Sequence, residues 1–310
     1  MPTTTLPWYG YHTTTQAKMQ SRKLAAIYFR AGAELHAASY TARAARVQMC
    51  SDVIVAQDGK IISQWRCRDR LCPICAMADS HRIAANAHIV LQRALTNGRK
   101  AYMLTLTQLN CPATMLPGRI TDMISAWRAI LHDLRDARKY IAGYARTVEI
   151  TRSARGDYHP HVHAILIMAA DTPKVMLRAG YWADLWRDYM GTDAYQSVRP
   201  VCDIRPIRPN PRRHTSSTAA AAAEVAKYTA KSAKILCRSD AYDTILAIDA
   251  AIRGRQLRTY GGVWRALRRQ MRLSDAPIDA PMDAPIAIAK NIPLEVWQWA
   301  GADVGYQRIQ

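Results

Sequence analysis

A chain of 310 residues, 49% hydrophobic and 22% charged, has enough material for one large core or two modest ones, which excludes a disordered or fibrous protein. The formal charge is +19; residues 273–310 hold two basic and five acidic side chains, so residues 1–272 carry +22. That surplus points to a polyanionic partner, because each Lys or Arg that neutralises a phosphate releases a counterion, while the lack of any run of about 18 apolar residues or of an export signal predicts no membrane span and a cytoplasmic location.

Residues 16–46 read as mostly helical, Ala-rich and Arg-studded, with Gly32 the one glycine. Residues 50–75 hold Cys50, Cys67, Cys72 and Cys75 around a strand-like segment, Val53 to Ile62, interrupted by the Asp58-Gly59 turn signal. Residues 79–96 return to helix and stop at Asn97-Gly98. Ala101 to Thr107 is a strand, with Thr105 and Thr107 on one face and Leu104 and Leu106 on the other. An amphipathic helix over 119–139 follows. Two strands, Tyr144 to Thr151 and His161 to Met168, are joined by a turn through Ser153 to Tyr158. A helix over 173–190, a strand from Ser197 to Ile204, a Pro/Arg-rich loop over 205–214 and an Ala-rich helix over 218–235 complete the pattern. The order β-α-β-β-α-β predicts an α+β fold of split βαβ type: an antiparallel sheet with helices on one face, preceded by a helical and Cys-rich region. Residues 252–272 contain seven arginines. Beyond them a repeated Asp-Ala-Pro, with a proline every four residues, predicts an extended linker. Three parts are expected: 1–97 helical with a zinc knuckle, 98–272 catalytic and basic, and 273–310 linker and tail.

In a strand, His161 and His163 point to one face and Val162 and Ala164 to the other. Two such imidazoles can chelate a divalent cation, though core histidines bonded to each other would look the same. Glu149, between Val148 and Ile150 in the neighbouring strand, is costly there unless it ligates or pairs with an arginine. Across from the histidines it completes a two-His, one-carboxylate set with open positions for a phosphate oxygen. His159 is a further candidate ligand. On the Ala-rich helix, Glu224, Tyr228 and Lys231 share a face with Lys227 beside them. The two lysines favour the phenolate of Tyr228, a nucleophile for phosphorus, and Glu224 can serve as a base. Standing alone, this segment reads first as an amphipathic helix with a Glu–Lys pair and a tyrosine packed on the sheet. Cys72-Pro-Ile-Cys75 is a metal knuckle, and Cys67 and Cys50 supply two more thiolates for a tetrahedral structural Zn²⁺ site. A redox Cys-x-x-Cys would need a thioredoxin-like βαβ unit, which is missing. Cys111, Cys202 and Cys237 read as ordinary buried cysteines.

Together these motifs resemble the Rep initiators of rolling-circle plasmids, in the HUH endonuclease superfamily, of the branch with one catalytic tyrosine and a nearby glutamate. The resemblance rests on Cys67-Arg-Asp-Arg-Leu-Cys-Pro-Ile-Cys75, Leu104-Thr-Leu-Thr107, Tyr158-His-Pro-His-Val-His163, Glu224-Val-Ala-Lys-Tyr228 and Tyr260-Gly-Gly-Val-Trp264, in that order over residues 47–265. One departure is the run after Cys75, Ala-Met-Ala-Asp-Ser-His, where the family has a basic, Trp-containing run.

The resemblance implies a nickase and strand transferase acting on single-stranded origin DNA. Tyr228 would form a 5′-phosphotyrosine link and free a 3′-hydroxyl for a host polymerase, with a host helicase as a further partner. Mn²⁺ or Mg²⁺ on His161, His163 and Glu149 would polarise the phosphate. Glu224 would activate water for the closing step, and the arginines of 205–213 and 253–272 would hold backbone phosphates. An HUH transposase or relaxase, and a non-enzymatic zinc-ribbon regulator, are the alternatives.

Overall fold

The computed structural model describes residues 11–57, 60–96, 99–133, 139–153, 155–191, 199–207, 217–226, 232–274 and 293–309. The chain forms two compact units, one from residues 1–78, 232–245 and 276–310, the other from 79–231 and 246–275.

In the first unit the expected single helical stretch is two helices, α1 (Tyr11–Glu34) and α2 (Ala38–Met49). The break falls at His36, whose φ is +48°. Each helix buries one stripe: Leu24, Ala25, Tyr28 and Ala31 on α1, and Tyr40, Ala44 and Val47 on α2, spaced at one- and two-turn intervals. Strands β1 (Val53–Gln57) and β2 (Lys60–Gln64) pair antiparallel, as the turn signal between them predicts. The C-terminal stretch, whose docking place could not be read from the sequence, supplies β8 (Glu295–Trp299) and β9 (Tyr306–Arg308), giving a four-stranded sheet in the order β2-β1-β8-β9. Its core is Ile54, Ala56, Trp297 and Tyr306, and the Tyr306 hydroxyl donates to the Ser51 carbonyl at 2.6 Å.

The second unit is built on a five-stranded antiparallel sheet in the order β6-β3-β5-β4-β7. Its strands are β3 (Lys100–Thr107), β4 (Ile141–Arg152), β5 (Tyr158–Met168), β6 (Cys202–Pro206) and β7 (Arg258–Gly261). The intervening helices are α4 (Leu116–Asp133) and α5 (Ala179–Met190), so the β-α-β-β-α-β order stands. Strand β7 comes from the Arg-rich segment and extends the sheet beyond it.

Helices cover both faces rather than the single face expected. On one lie α4, through Leu116, Ile120, Met123, Trp127 and Ile130, and α5, through Trp182 and Trp186. They pack on the face that carries Leu104, Leu106, Val162, Ala164 and Leu166. On the other face lie α3 (Pro73–Thr96), α6 (Ser217–Ala226) and α9 (Gly262–Gln270), which close a core of Val90, Leu91, Ala101, Ala145, Ile165, Ile167, Ala222, Val225 and Trp264. Two further helices, α7 (Ser232–Ile235) and α8 (Ala241–Ile252), precede β7. The linker over 275–292 and much of the Pro/Arg-rich loop lie outside the described residues.

Candidate metal and nicking site

Cross-strand register assembles the site. In an antiparallel sheet, paired residues share a face. Strand β5 pairs His161 with Glu149 and His163 with Thr147 on β4, while on β3 His163 meets Thr105 and His161 meets Thr107. All six therefore lie on the face that α6 covers, and Val162 and Ala164 point to the opposite core, as expected.

The Nε2 atoms of His161 and His163 lie 3.1 and 2.9 Å from Glu149 Oε2. All three side chains are buried, Glu149 at 2% exposure, and their ligand atoms fall within 4.8 Å of one another. Metal–ligand bonds of about 2.1 Å place neighbouring donors roughly 3–3.5 Å apart, so the spacing fits one divalent ion. The hydrogen bonds behind the rings fit it too. His161 Nδ1 lies 3.3 Å from the His159 carbonyl, which can only accept, so Nδ1 carries a proton. A neutral ring then turns its Nε2 lone pair toward a carboxylate oxygen, an arrangement that a cation between them makes favourable; a doubly protonated ring would form an ion pair instead. His163 Nδ1 meets the Thr105 hydroxyl at 3.3 Å.

His159 is not part of this cluster: its carbonyl orients His161, and its own ring lies 5.5 Å from that of His161 between centroids. Burial, and then the neighbouring His161, lower the His159 pKa.

Helix α6 lies on the same face and buries Ala221, Ala222, Val225 and Ala226. It sets Glu224 Oε1 3.8 Å from His163 Nε2, so His163 stands between two carboxylates. The sequence related Glu224 only to Tyr228 and the lysines of its own helix. Its nearness to His163 follows from a helix docking on a sheet some 60 residues earlier in the chain, a contact that no local pattern encodes. Lys227, Tyr228 and Lys231 lie outside the described residues.

In the first unit, Cys50 at the end of α2, Cys67 in the loop after β2, and Cys72 and Cys75 at the start of α3 form a buried cluster. Sγ–Sγ distances are 3.7 Å for Cys50–Cys75, 3.6 Å for Cys67–Cys75 and 3.7 Å for Cys72–Cys50. A tetrahedron with Zn–S bonds of about 2.3 Å has edges of roughly 3.8 Å, so the cluster can hold a structural zinc. Hydrogen bonds from the neighbouring thiols, Cys50 first, together with burial push Cys67 and Cys75 far above the usual thiol range, so these sulfurs need a cation in order to ionise together.

Of the other cysteines, two depart from the sequence reading. Cys111 is buried, but Cys202 is half-buried and Cys237 exposed, because Cys202 sits on an edge strand and Cys237 follows the short α7. Several arginines assigned to phosphate also have protein partners. Arg253 pairs with Asp249 at 2.6 Å, Arg205 with Asp203 at 2.7 Å, and Arg255 donates to the Ala251 carbonyl at 3.0 Å. Among the described residues no helix is long and apolar enough to cross a membrane.

Comparison with known proteins bears on this arrangement. A Protein rep of Lentilactobacillus hilgardii is 30% identical over 248 residues, covering 75% of this chain and 76% of its own length. A Protein rep of Lactiplantibacillus plantarum is 27% identical over 246 residues (75% and 76%), and one of Bacillus amyloliquefaciens is 27% identical over 234 (70% and 68%). No solved structure matches the chain. The model of the Replication protein family Rep_1 matches residues 58–300, a span that takes in Cys67, Cys72 and Cys75, the histidine cluster and Glu224, with Cys50 before it, and the chain belongs to that family.

Proposed function

We propose that this chain initiates rolling-circle replication of a plasmid by nicking single-stranded origin DNA, in the manner of the HUH endonucleases. The observation that carries the reading is the setting of His163, held between Glu149 of the sheet and Glu224 of the sequence segment that contains Tyr228. In this reading Tyr228 Oη attacks the scissile phosphorus in line with the leaving 3′ oxygen. A P–O bond to tyrosine forms as the P–O3′ bond breaks, so the phosphodiester energy is kept and the strand can later be rejoined. The charges of Lys227 and Lys231 favour the phenolate. A Mn²⁺ or Mg²⁺ ion held by His161, His163 and Glu149 would supply Lewis-acid polarisation of the phosphate. Glu149 and the two Nδ1 hydrogen bonds fix the imidazoles, so little reorganisation is needed at the moment of attack. The free 3′-hydroxyl then serves a host polymerase, and a host helicase opens the duplex ahead. The cysteine cluster holds Zn²⁺ as a structural ion.

The test mixes the protein with single-stranded origin DNA and Mn²⁺ and resolves the products on a denaturing gel. Wild type should give a covalent protein–DNA adduct, lost in EDTA, and Tyr228→Phe should give none while binding the DNA within a few-fold of wild type. An adduct formed by Tyr228→Phe at the wild-type rate would remove Tyr228 as nucleophile. No adduct from wild type would leave a DNA-binding regulator.

A further inference from the structure

At the β7 edge of the five-stranded sheet lies a cavity of about 650 Å³. Five guanidinium groups line it, those of Arg128, Arg146, Arg258, Arg265 and Arg268, and no carboxylate does. The aromatic rings of Trp127, Tyr144 and Tyr260 contribute to its walls. Among the described residues the lining is thus of one sign, which is unusual because like charges repel and are normally interleaved with acids.

Arg146 says most about the purpose of the cavity. It is 1% exposed, in the middle of β4, and its Nη1 donates to the Leu257 carbonyl at 3.3 Å. Its Nε and Nη2 have no hydrogen-bond partner. Burial lowers its pKa to about 10, and the charge of Arg128 works in the same direction. Trp127 Nε1, Arg258 Nε and Thr259 Oγ1, all from cavity-lining residues, are likewise buried without partners. Four residues thus present unanswered hydrogen-bonding groups at one place, three of them able only to donate. A buried cation without a counter-charge is strongly unfavourable, and an anion that fills the volume removes that cost. Ordered water would satisfy the donors but not the charge.

Register fixes the relation of the cavity to the metal cluster. Arg258 pairs with Thr147, and Thr147 with His163, so Arg258 shares the face of the histidines, whereas Arg146, paired with Ala164 and Thr259, lies on the face that α4 covers; the cavity takes residues of both faces at the sheet edge. Two strand spacings, roughly 10 Å, separate the strands of Arg258 and His163. A flexible single strand with one phosphate at the histidines therefore has neighbouring nucleotides within reach of the cavity. Guanidinium groups beside aromatic rings suit a phosphate and a base together.

We propose that this cavity binds one nucleoside phosphate, with the phosphate on Arg146 and the base against the aromatic wall, and that this nucleotide belongs to the bound DNA strand, outside the scissile step. The strand as source rests on the function proposed above; the ligand chemistry does not.

The test needs no nicking. Binding of a 20-mer oligodeoxythymidylate is measured by anisotropy in EDTA, and binding of dTMP by calorimetry, for wild type, Arg146→Met and Arg128→Ala. Arg146→Met should fold and melt no lower than wild type, since it removes a buried unpaired charge. It should weaken the 20-mer by at least about tenfold and reduce the salt slope by about one. Arg128→Ala, at an exposed position, should weaken it several-fold and serves as the readout if Arg146→Met does not fold. If dTMP binding is lost in the variants while the 20-mer is unaffected, the site is for a free mononucleotide and the strand assignment is overturned. If neither ligand responds to either variant, the cavity holds water and the proposal fails. Loss of nicking with these binding results intact would count against the proposed function alone.

Discussion

Glu149 is a carboxylate at 2% exposure in the middle of a sheet, and such a group survives only with strong partners. Two imidazoles provide them, and each is itself braced, His163 by the Thr105 hydroxyl and His161 by the His159 carbonyl. Glu224 is different: it is half-buried, and its side chain approaches His163 from a helix rather than from the sheet. In the proposed reaction, a carboxylate at this distance can take a proton from a water beside a bound phosphate, the step by which one tyrosine could suffice to stop after one round. Glu224→Ala should therefore still nick and still form the Tyr228 adduct, but fail to terminate, with displaced strands running past unit length in a replicating extract. Unit-length circles from this variant would reduce Glu224 to an ion-pair partner.

At the scale of elements, the junction between β7 and α9 depends on backbone that only glycine provides. Gly262 has a φ of +53°, and a Cβ there would run into the Ala142 carbonyl oxygen. The close approach lets β7 pair with β4 while α9 turns back to bury Trp264 and Leu267. Gly254 has a φ of +69° with open space around it. Gly254→Ala should cost only the backbone strain, about 1 kcal/mol. Gly262→Ala adds a backbone clash and should cost at least about 2–3 kcal/mol. Urea denaturation checks the order, and equal losses at the two positions would deny the close approach its structural weight.

At the scale of the whole molecule, each compact unit joins segments far apart in the chain. The first unit ties residues 1–78 to a C-terminal stretch through the β1–β8 pairing, so its sheet cannot be complete until residues 53–56 meet 295–298. A closed four-thiolate site in this unit would add folding free energy. Purified protein should carry one zinc per chain. Cys72→Ser should lose it and lower the unfolding temperature in calorimetry, while adduct formation below that temperature falls by less than tenfold. Protein without zinc, with four freely titratable thiols in the native state, would refute the structural-ion assignment.

The sequence by itself determined what is local. Period-two spacing set His161 and His163 on one face, the order of strands and helices gave the α+β core, and the Asp58-Gly59 signal fell between two paired strands. Cysteine spacing named four thiols that do come together. Tertiary structure decided whatever depends on contacts across many residues. It laid Thr105 behind His163, brought Glu224 to the same histidine, and added β7 to the edge of the sheet. It placed helices on both faces, because β5 carries apolar side chains on both sides from Ala164 to Met168 and each side must be covered. It also buried Arg146, which in sequence is one more arginine in a basic chain. Alternation along a strand fixes which face a side chain takes, but the partner waiting on that face is chosen by packing, and no short window of sequence contains it.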